Sequence, residues 1–251
     1  MSLYYIHFKF CRIFSKKQSV IVKVQQIYDT FNENGFVRNE VFYMKYEKLA
    51  ASVIMAEKGR IPKLKSYDPA LQLIGTGRSA YVFKVQDEQV ALKVYFPHKA
   101  HLAAEEAAIY KKLSSSSYYP ALHDVGANYI VIDFLEGHTL FQCLENGLFV
   151  SEDKIHAINE ALNMARKAGL NPSDVHLKNI IITSKQEVKL IDVVRFSQTK
   201  QDRQWDDLQK AYFKGYVKSY FPKRIPSFVL HCIAAIYKKT PRYALCKNKI
   251  V

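Results

Sequence analysis

Apolar and polar positions change rhythm several times along this chain, and each change predicts a different kind of element. Residues 1–67 carry apolar side chains at three- and four-residue spacings, from Val20 to Phe31 and again from Val41 to Met55. That period predicts a mainly helical N-terminal extension, closed by Pro62 and the polar run to Asp68. Between Leu71 and Tyr95 the rhythm shortens. Apolar or alternating runs at Leu71–Ile74, Tyr81–Val85 and Val90–Tyr95, separated by Gly75–Ser79 and Gln86–Gln89, predict a three-stranded antiparallel meander. A helical pattern spans His98–Leu113, followed by strands around Ala121–Val125 and Tyr129–Phe134 and a break at Gly137. Ser151 predicts a helix N-cap, with Glu152 and Asp153 in the first turn, where the helix dipole favours acids. That helix presents Ile155, Ile158, Leu162 and Ala165 on one face and stops at Gly169. A short hairpin and two amphipathic helical segments follow. Strands first and helices afterwards predict an α+β protein of two lobes.

Composition narrows this picture without changing it. With 251 residues, 49% of them apolar and 24% charged, the chain can bury a full core and is not a disordered composition. Its four cysteines, Cys11, Cys143, Cys232 and Cys246, form no C-x-x-C pair, so no zinc or redox motif is expected and a reduced, cytoplasmic setting is. His7 and Lys9 interrupt the apolar N-terminus, which does not read as a signal peptide. The longest apolar stretch, Ile225–Tyr237, contains His231 and is too short to span a bilayer. It is expected to pack as core, the alternative being an interfacial helix flanked by Lys223, Arg224, Lys238 and Lys239.

The net charge of +14 sits on the flanks. Residues 1–70 carry 12 Lys/Arg against 6 acids, residues 71–197 carry 13 against 14, and residues 198–251 carry 12 against 3. Scattered lysines that keep the protein soluble are the plain reading of the basic flanks, and an anionic membrane face or an acidic partner is the alternative. No cluster has the form of a nucleic-acid motif, so nucleic acid is not favoured.

The candidate chemistry lies in the neutral middle. Asp174 is followed five residues later by Asn179, then an apolar strand, then Asp192 at the end of another. Phosphoryl transfer from ATP needs such a set: a carboxylate beside the acceptor hydroxyl, and an Asn and a second carboxylate on magnesium. Upstream, Gly75-Thr76-Gly77-Arg78 closes a hairpin whose glycines would let backbone N–H groups approach phosphate. Lys93 stands in an otherwise apolar strand, on the same face as Ala91, and a lysine in a cleft needs an anionic partner. Glu106 is preferred over Glu105, because it precedes Ile109 and Tyr110 by three and four residues, positions that should face the core.

Taken together, these residues resemble the protein-kinase-like superfamily over roughly residues 70–210. The resemblance implies a two-lobed fold with an antiparallel-sheet N-lobe at 68–135 and a reduced, mainly helical C-lobe at 136–251, after the extension at 1–67. It implies ATP and Mg2+ as cofactors. Gly75, Thr76, Gly77, Arg78 and Val82 would form the glycine-rich loop, with Ala91 beside the nucleotide. Lys93 would hold phosphate and Glu106 would pair with it. Asp174 would be the catalytic aspartate, and Asn179 and Asp192 the metal ligands. The backbone of Asp133 and Leu135 would pair with adenine in front of Ile132.

The chain also departs from the family pattern. Pro172-Ser173 replaces the usual His-Arg, Val193-Val194 replaces Phe-Gly, and no Ala-Pro-Glu follows. His176 stands where protein kinases usually have lysine, which looks more like small-molecule phosphotransferases. Trp205-Asp206-Asp207 resembles the acidic helix start that props the catalytic loop in compact kinases. The compact kinases that the chain resembles include RIO-type and lipopolysaccharide-sugar kinases and bacterial serine/threonine kinases, and it resembles that bacterial group most. An atypical serine/threonine protein kinase is therefore expected. The alternatives are a kinase acting on a sugar, lipid headgroup or aminoglycoside-like alcohol, and a scaffold that binds nucleotide without transferring phosphate.

Overall fold

The computed structural model describes residues 45–56, 59, 61–199 and 202–239. The chain divides between Ser52 and Val53 into two units. In the first, residues 45–51 are helical, with Tyr46, Leu49 and Ala50 buried on one face. Ser52 closes this helix, its Oγ donating to the Leu49 carbonyl at 2.7 Å. The rest of the predicted N-terminal helical pattern, including Val20–Phe31, lies outside the described residues.

The second unit opens with a strand pair, β1 (Ile54–Met55) and β2 (Leu64–Ser66), inside the stretch expected to be helical. Pro62 explains the difference, since it has no N–H to give to a helix. Tyr81 then ties this stretch to the main sheet. Its hydroxyl donates to the Pro62 carbonyl at 2.6 Å and accepts from the Leu64 N–H at 3.2 Å.

The main sheet is antiparallel, in the order β3-β4-β5-β7-β6. Its strands are β3 (Leu71–Thr76), β4 (Ala80–Val85), β5 (Val90–Tyr95), β6 (Leu122–Val125) and β7 (Tyr129–Asp133). The predicted meander is present within a residue or two at each end. Every residue of central β5 is buried, as expected of a strand covered on both faces. Between β5 and β6 runs α1 (Leu102–Lys112), which carries Glu106. It starts later than the helical pattern suggested, because Pro97–Lys99 makes a separate short turn.

Gly137 begins a strand rather than a break. β8 (Gly137–Thr139) pairs with β9 (Ile180–Thr183), which pairs with β10 (Val188–Leu190). At Gly137 φ is 155°, and a Cβ there would lie 2.2 Å from the Ile182 carbonyl oxygen and 2.6 Å from the Thr183 Cα. Only glycine allows β8 this close to β9. The sequence pattern did not reveal α2 (Leu140–Asn146), although a capping box between Thr139 and Gln142 marks its start. Next, α3 (Glu152–Lys167) buries Ile155, Ile158, Leu162 and Ala165 as predicted, with Ala161. The Ser151 hydroxyl does not cap it and bonds the Asp153 carboxylate instead.

α4 (Gln204–Ala211), a π-helical turn (Tyr212–Tyr216) and α5 (Ser227–Lys239) end the described chain. The Ile225–Tyr237 segment does not pack as core. Leu230 is its one buried side chain, while Phe228 and Ile233 are 68% and 56% exposed. Apolar residues ring this helix instead of forming a stripe, so packing on one side leaves the others uncovered. No helix among the described residues is long and apolar enough to cross a membrane.

One buried apolar cluster joins the sheet (Ala80, Ala91, Ile130, Ile132) and α1 (Ala103, Ala107, Ile109) to α3 (Ile158, Leu162) and the β9–β10 hairpin (Ile180, Leu190). The unit is thus a mixed α/β fold with an antiparallel sheet above and helices with a small sheet below, the two-lobed arrangement of kinases.

Candidate active site

Strand register builds the upper wall. Gly75 lies opposite Val82, Val82 opposite Lys93 and Lys93 opposite Ile130, so these residues line one face of the sheet. Ala91 lies two residues before Lys93 and opposite Ile132, on that same face. The loop Thr76–Arg78 is exposed at the rim.

Lys93 is the hub. Its Nζ donates to both Glu106 oxygens, at 2.7 and 3.0 Å, and to Asp192 Oδ1 at 2.8 Å. Glu106 is fully buried and Lys93 nearly so, whereas the Asp192 side chain is 41% exposed. The Tyr95 hydroxyl also donates to Glu106 Oε2. Burial alone would lower the Lys93 pKa, but Asp192 and Glu106 outweigh it and hold the ammonium above the usual lysine value. Burial raises the Glu106 pKa against the pull of Lys93, while Lys93 draws Asp192 below the usual carboxylate range. Tyr110, one turn beyond Glu106, buries a hydroxyl that has no hydrogen-bond partner among the described residues.

The lower wall is a pair of strained aspartates. Asp174 and Asp192 have φ of 59° and 58°, in the left-handed region that non-glycine residues rarely adopt. Hydrogen bonds fix both turns. The Asp174 N–H donates to Asp202 Oδ2 at 2.7 Å, Asn179 Nδ2 donates to the Asp174 carbonyl at 3.1 Å, and the Ile191 N–H donates to the Asn179 carbonyl at 2.9 Å. Asp192 opens a short 3-10 turn, Val193–Ser197, anchored by buried Val193 and Phe196. His176 Nε2 lies 4.0 Å from Asp174 Oδ1, and burial lowers its pKa although Asp174 and Asp192 pull the other way.

Two arginines meet on one oxygen of Asp174. Arg78 Nη2 is 2.8 Å and Arg195 Nε 3.1 Å from Oδ2. Arg78 was expected to face nucleotide, and Arg195 had no expected role. Asp202 was also missed. Asp206 and Asp207 were expected to prop the catalytic loop, yet Asp206 is exposed and Asp207 accepts from the Tyr237 hydroxyl at 2.9 Å. Asp202 holds the loop, with its other oxygen accepting from the Gln204 N–H at the start of α4 at 2.9 Å. An acid placed before a helix, able to take its free N–H groups, is the signal that would have found it.

At the junction of the lobes, the Asp133 carboxylate accepts from the Ala121 N–H and meets His123 Nε2, both at 2.7 Å. These contacts hold the carboxylate against Ala121 and His123, and the Asp133 N–H donates to the Ala121 carbonyl at 3.1 Å. Ile132 is buried and Leu135 half-buried beside it. Among the described residues no group of three His, Cys, Asp or Glu side chains is gathered to cage a metal. Asp192, partly exposed, and Asn179, buried, carry hard oxygen donors. That pair fits Mg2+, which takes one or two protein oxygens and completes its shell with phosphate and water.

No family model matches the chain. Among curated proteins it is 48% identical over 197 residues to the "Putative serine/threonine-protein kinase YrzF" of Bacillus subtilis (strain 168), covering 78% of this chain and 92% of that one. This chain belongs to the same kinase family. Like its relatives it is a phosphotransferase. Two clostridial proteins, each named "Probable serine/threonine-protein kinase", are 31% identical: one from Clostridium acetobutylicum over 137 residues and one from Clostridium perfringens over 140. These matches cover 47% and 49% of this chain but 21% and 20% of the clostridial proteins, so the chain spans about a fifth of their length.

Proposed function

We propose that the protein is an ATP- and magnesium-dependent serine/threonine protein kinase of a minimal, atypical type, with an N-lobe over 68–135 and a reduced C-lobe over 136–251. The observation that carries the reading is the Lys93 ammonium held between Glu106 and Asp192. A lysine fixed by a buried carboxylate presents its charge where phosphate oxygens arrive.

In this reading the loop Gly75–Arg78, with Val82, Ala91 and Ile132, encloses the nucleotide, and the backbone of Asp133 and Leu135 pairs with its base. Asn179 and Asp192 hold Mg2+, which would neutralise phosphate charge. Asp174 takes the proton of the acceptor hydroxyl, held in place by Asp202 and Asn179. Catalysis is then mainly positioning and charge neutralisation. The names carried by the relatives favour a serine or threonine acceptor. The excess of basic residues at 198–251 favours an acidic partner or an anionic membrane face.

The test is transfer from labelled ATP with magnesium to a generic protein substrate, beside Asp174→Ala. The expected result is label incorporated by wild type and lost in the variant. Equal label in both rejects transfer at this site. A parallel panel of sugars and aminoglycosides identifies a small-molecule kinase if label appears only there.

A further inference from the structure

We infer that Arg195 neutralises the phosphoryl group during transfer, as a charge-stabilising residue supplied within the chain. The inference rests on the phosphotransferase reading of this site. Arg195 and Arg78 both grip Oδ2 of Asp174, the carboxylate that must accept the acceptor's proton. An acceptor hydroxyl docking on Asp174 has to share or displace these contacts, and two guanidinium groups then stand beside the incoming phosphate. In the reaction the acceptor oxygen bonds to the γ-phosphorus of a nucleoside triphosphate, and the bond from that phosphorus to the bridging oxygen breaks. The nucleoside diphosphate leaves with the electron pair, and the proton passes to Asp174. Charge builds on the phosphoryl oxygens between these points.

Of the two arginines, Arg195 is the better placed to stay there. It projects from the Val193–Ser197 turn, pinned by buried Val193 and Phe196 and tied to the catalytic loop by the Asn171 N–H, which donates to the Phe196 carbonyl at 2.8 Å. Arg78 stands on the exposed rim of the glycine loop, with a side chain 57% exposed against 43% for Arg195. Arg195 reaches Asp174 through Nε, and a guanidinium has further N–H donors on its terminal nitrogens for a phosphoryl oxygen. An arginine confined to orienting Asp174 would leave affinity for a planar phosphoryl mimic untouched.

The experiment measures Mg·ADP binding by calorimetry, with and without aluminium fluoride, in wild type, Arg195→Met and Arg195→Lys. Aluminium fluoride with ADP imitates the transferring phosphoryl, and such mimics bind more tightly than ground-state ligands. Wild type is expected to bind at least about tenfold more tightly with the fluoride, and Arg195→Met to lose that gain while its affinity for Mg·ADP alone stays within about threefold. Arg195→Lys should keep part of the gain, since it keeps the charge but not the fork. In transfer assays Arg195→Met should lower kcat about 10²- to 10³-fold with little change in KM for ATP. Retention of the fluoride gain in Arg195→Met, or no gain in wild type, overturns the inference. Transfer that requires Asp174 but survives Arg195→Met overturns it while the kinase reading stands. Absence of wild-type transfer overturns both.

Discussion

Replacing Lys93 with methionine tests the hub of the site through stability, independently of any substrate. The substitution leaves Glu106, at 0% exposure, without its ammonium partner, 2.7 and 3.0 Å away. Removing one member of a buried ion pair typically costs about 3–5 kcal/mol. The Asp192 arm adds little, because a carboxylate 41% exposed is rehydrated, and such pairs contribute about 0–1 kcal/mol. Two features hold the loss near the lower end of the range. The Tyr95 hydroxyl still donates to Glu106, and Glu106 can take up a proton. The expectation is a loss of about 3 kcal/mol at pH 7, or roughly 6–12 °C in Tm for a chain of this size.

The sign of the pH dependence follows from burial. Glu106 already has a raised pKa, and losing Lys93 raises it further. The folded variant then binds more protons than its unfolded form at and above the unfolded value near pH 4.3, so its stability rises as pH falls. The gap to wild type should shrink between pH 8 and pH 5. Adding Glu106→Gln, which removes the stranded charge, should recover part of the loss at pH 7. Urea midpoints across this range measure all three quantities. A loss below 1 kcal/mol, a gap independent of pH, or a double variant no more stable than the single one would refute the account of Glu106 as a buried, charge-balanced anchor.

Other substitutions test separate parts of the fold. Asp202→Ala frees the Asp174 N–H and should cost about 1.5–3 kcal/mol, the range for a hydrogen bond to a charged group, and lower kcat more than KM for ATP; unchanged urea midpoints and kinetics would remove Asp202 from the site. Gly137→Ala forces a Cβ to 2.2 Å from the Ile182 carbonyl and should lower stability by at least about 2 kcal/mol by calorimetry, strain at such a φ adding to overlap. Tyr110→Phe removes a buried, unpaired hydroxyl and should leave Tm unchanged or raised, and a clear drop would reveal a hidden partner. His176, facing Asp174, Asp192 and Arg78, has a pKa lowered first by burial. Its unfolded form therefore takes up the proton first as pH falls through about 6.5, and wild type should lose stability relative to His176→Asn between pH 7 and pH 5 in urea titrations.

The main sheet was legible because its strands are short apolar or alternating runs bounded by glycine and polar turns, and α3 because its stripe is unbroken. β8 and α2 were hidden because each is short. Gly137 reads as a break until the closeness of β9 is known. The exposed α5 misled for a different reason, since apolar content alone does not say whether a core remains to receive the helix.

The same distinction decides how much of the site could be read. Lys93 and Asp192 lie 99 positions apart, yet both are rare types for their surroundings: a lysine in a buried strand, and an acid ending an apolar one. Such residues announce that a partner exists before the partner is seen. Arg78 and Asp174 lie 96 positions apart, and Arg195 joins them from a third segment, but an arginine in an exposed loop conflicts with nothing around it. The buried half of the cleft is therefore written in violations of local preference. The half around Asp174 is written only in three-dimensional proximity. Under the proposed function an acceptor would dock in that second half, so substitutions at Arg78, whose side chain is 57% exposed, should change acceptor preference without unfolding the protein.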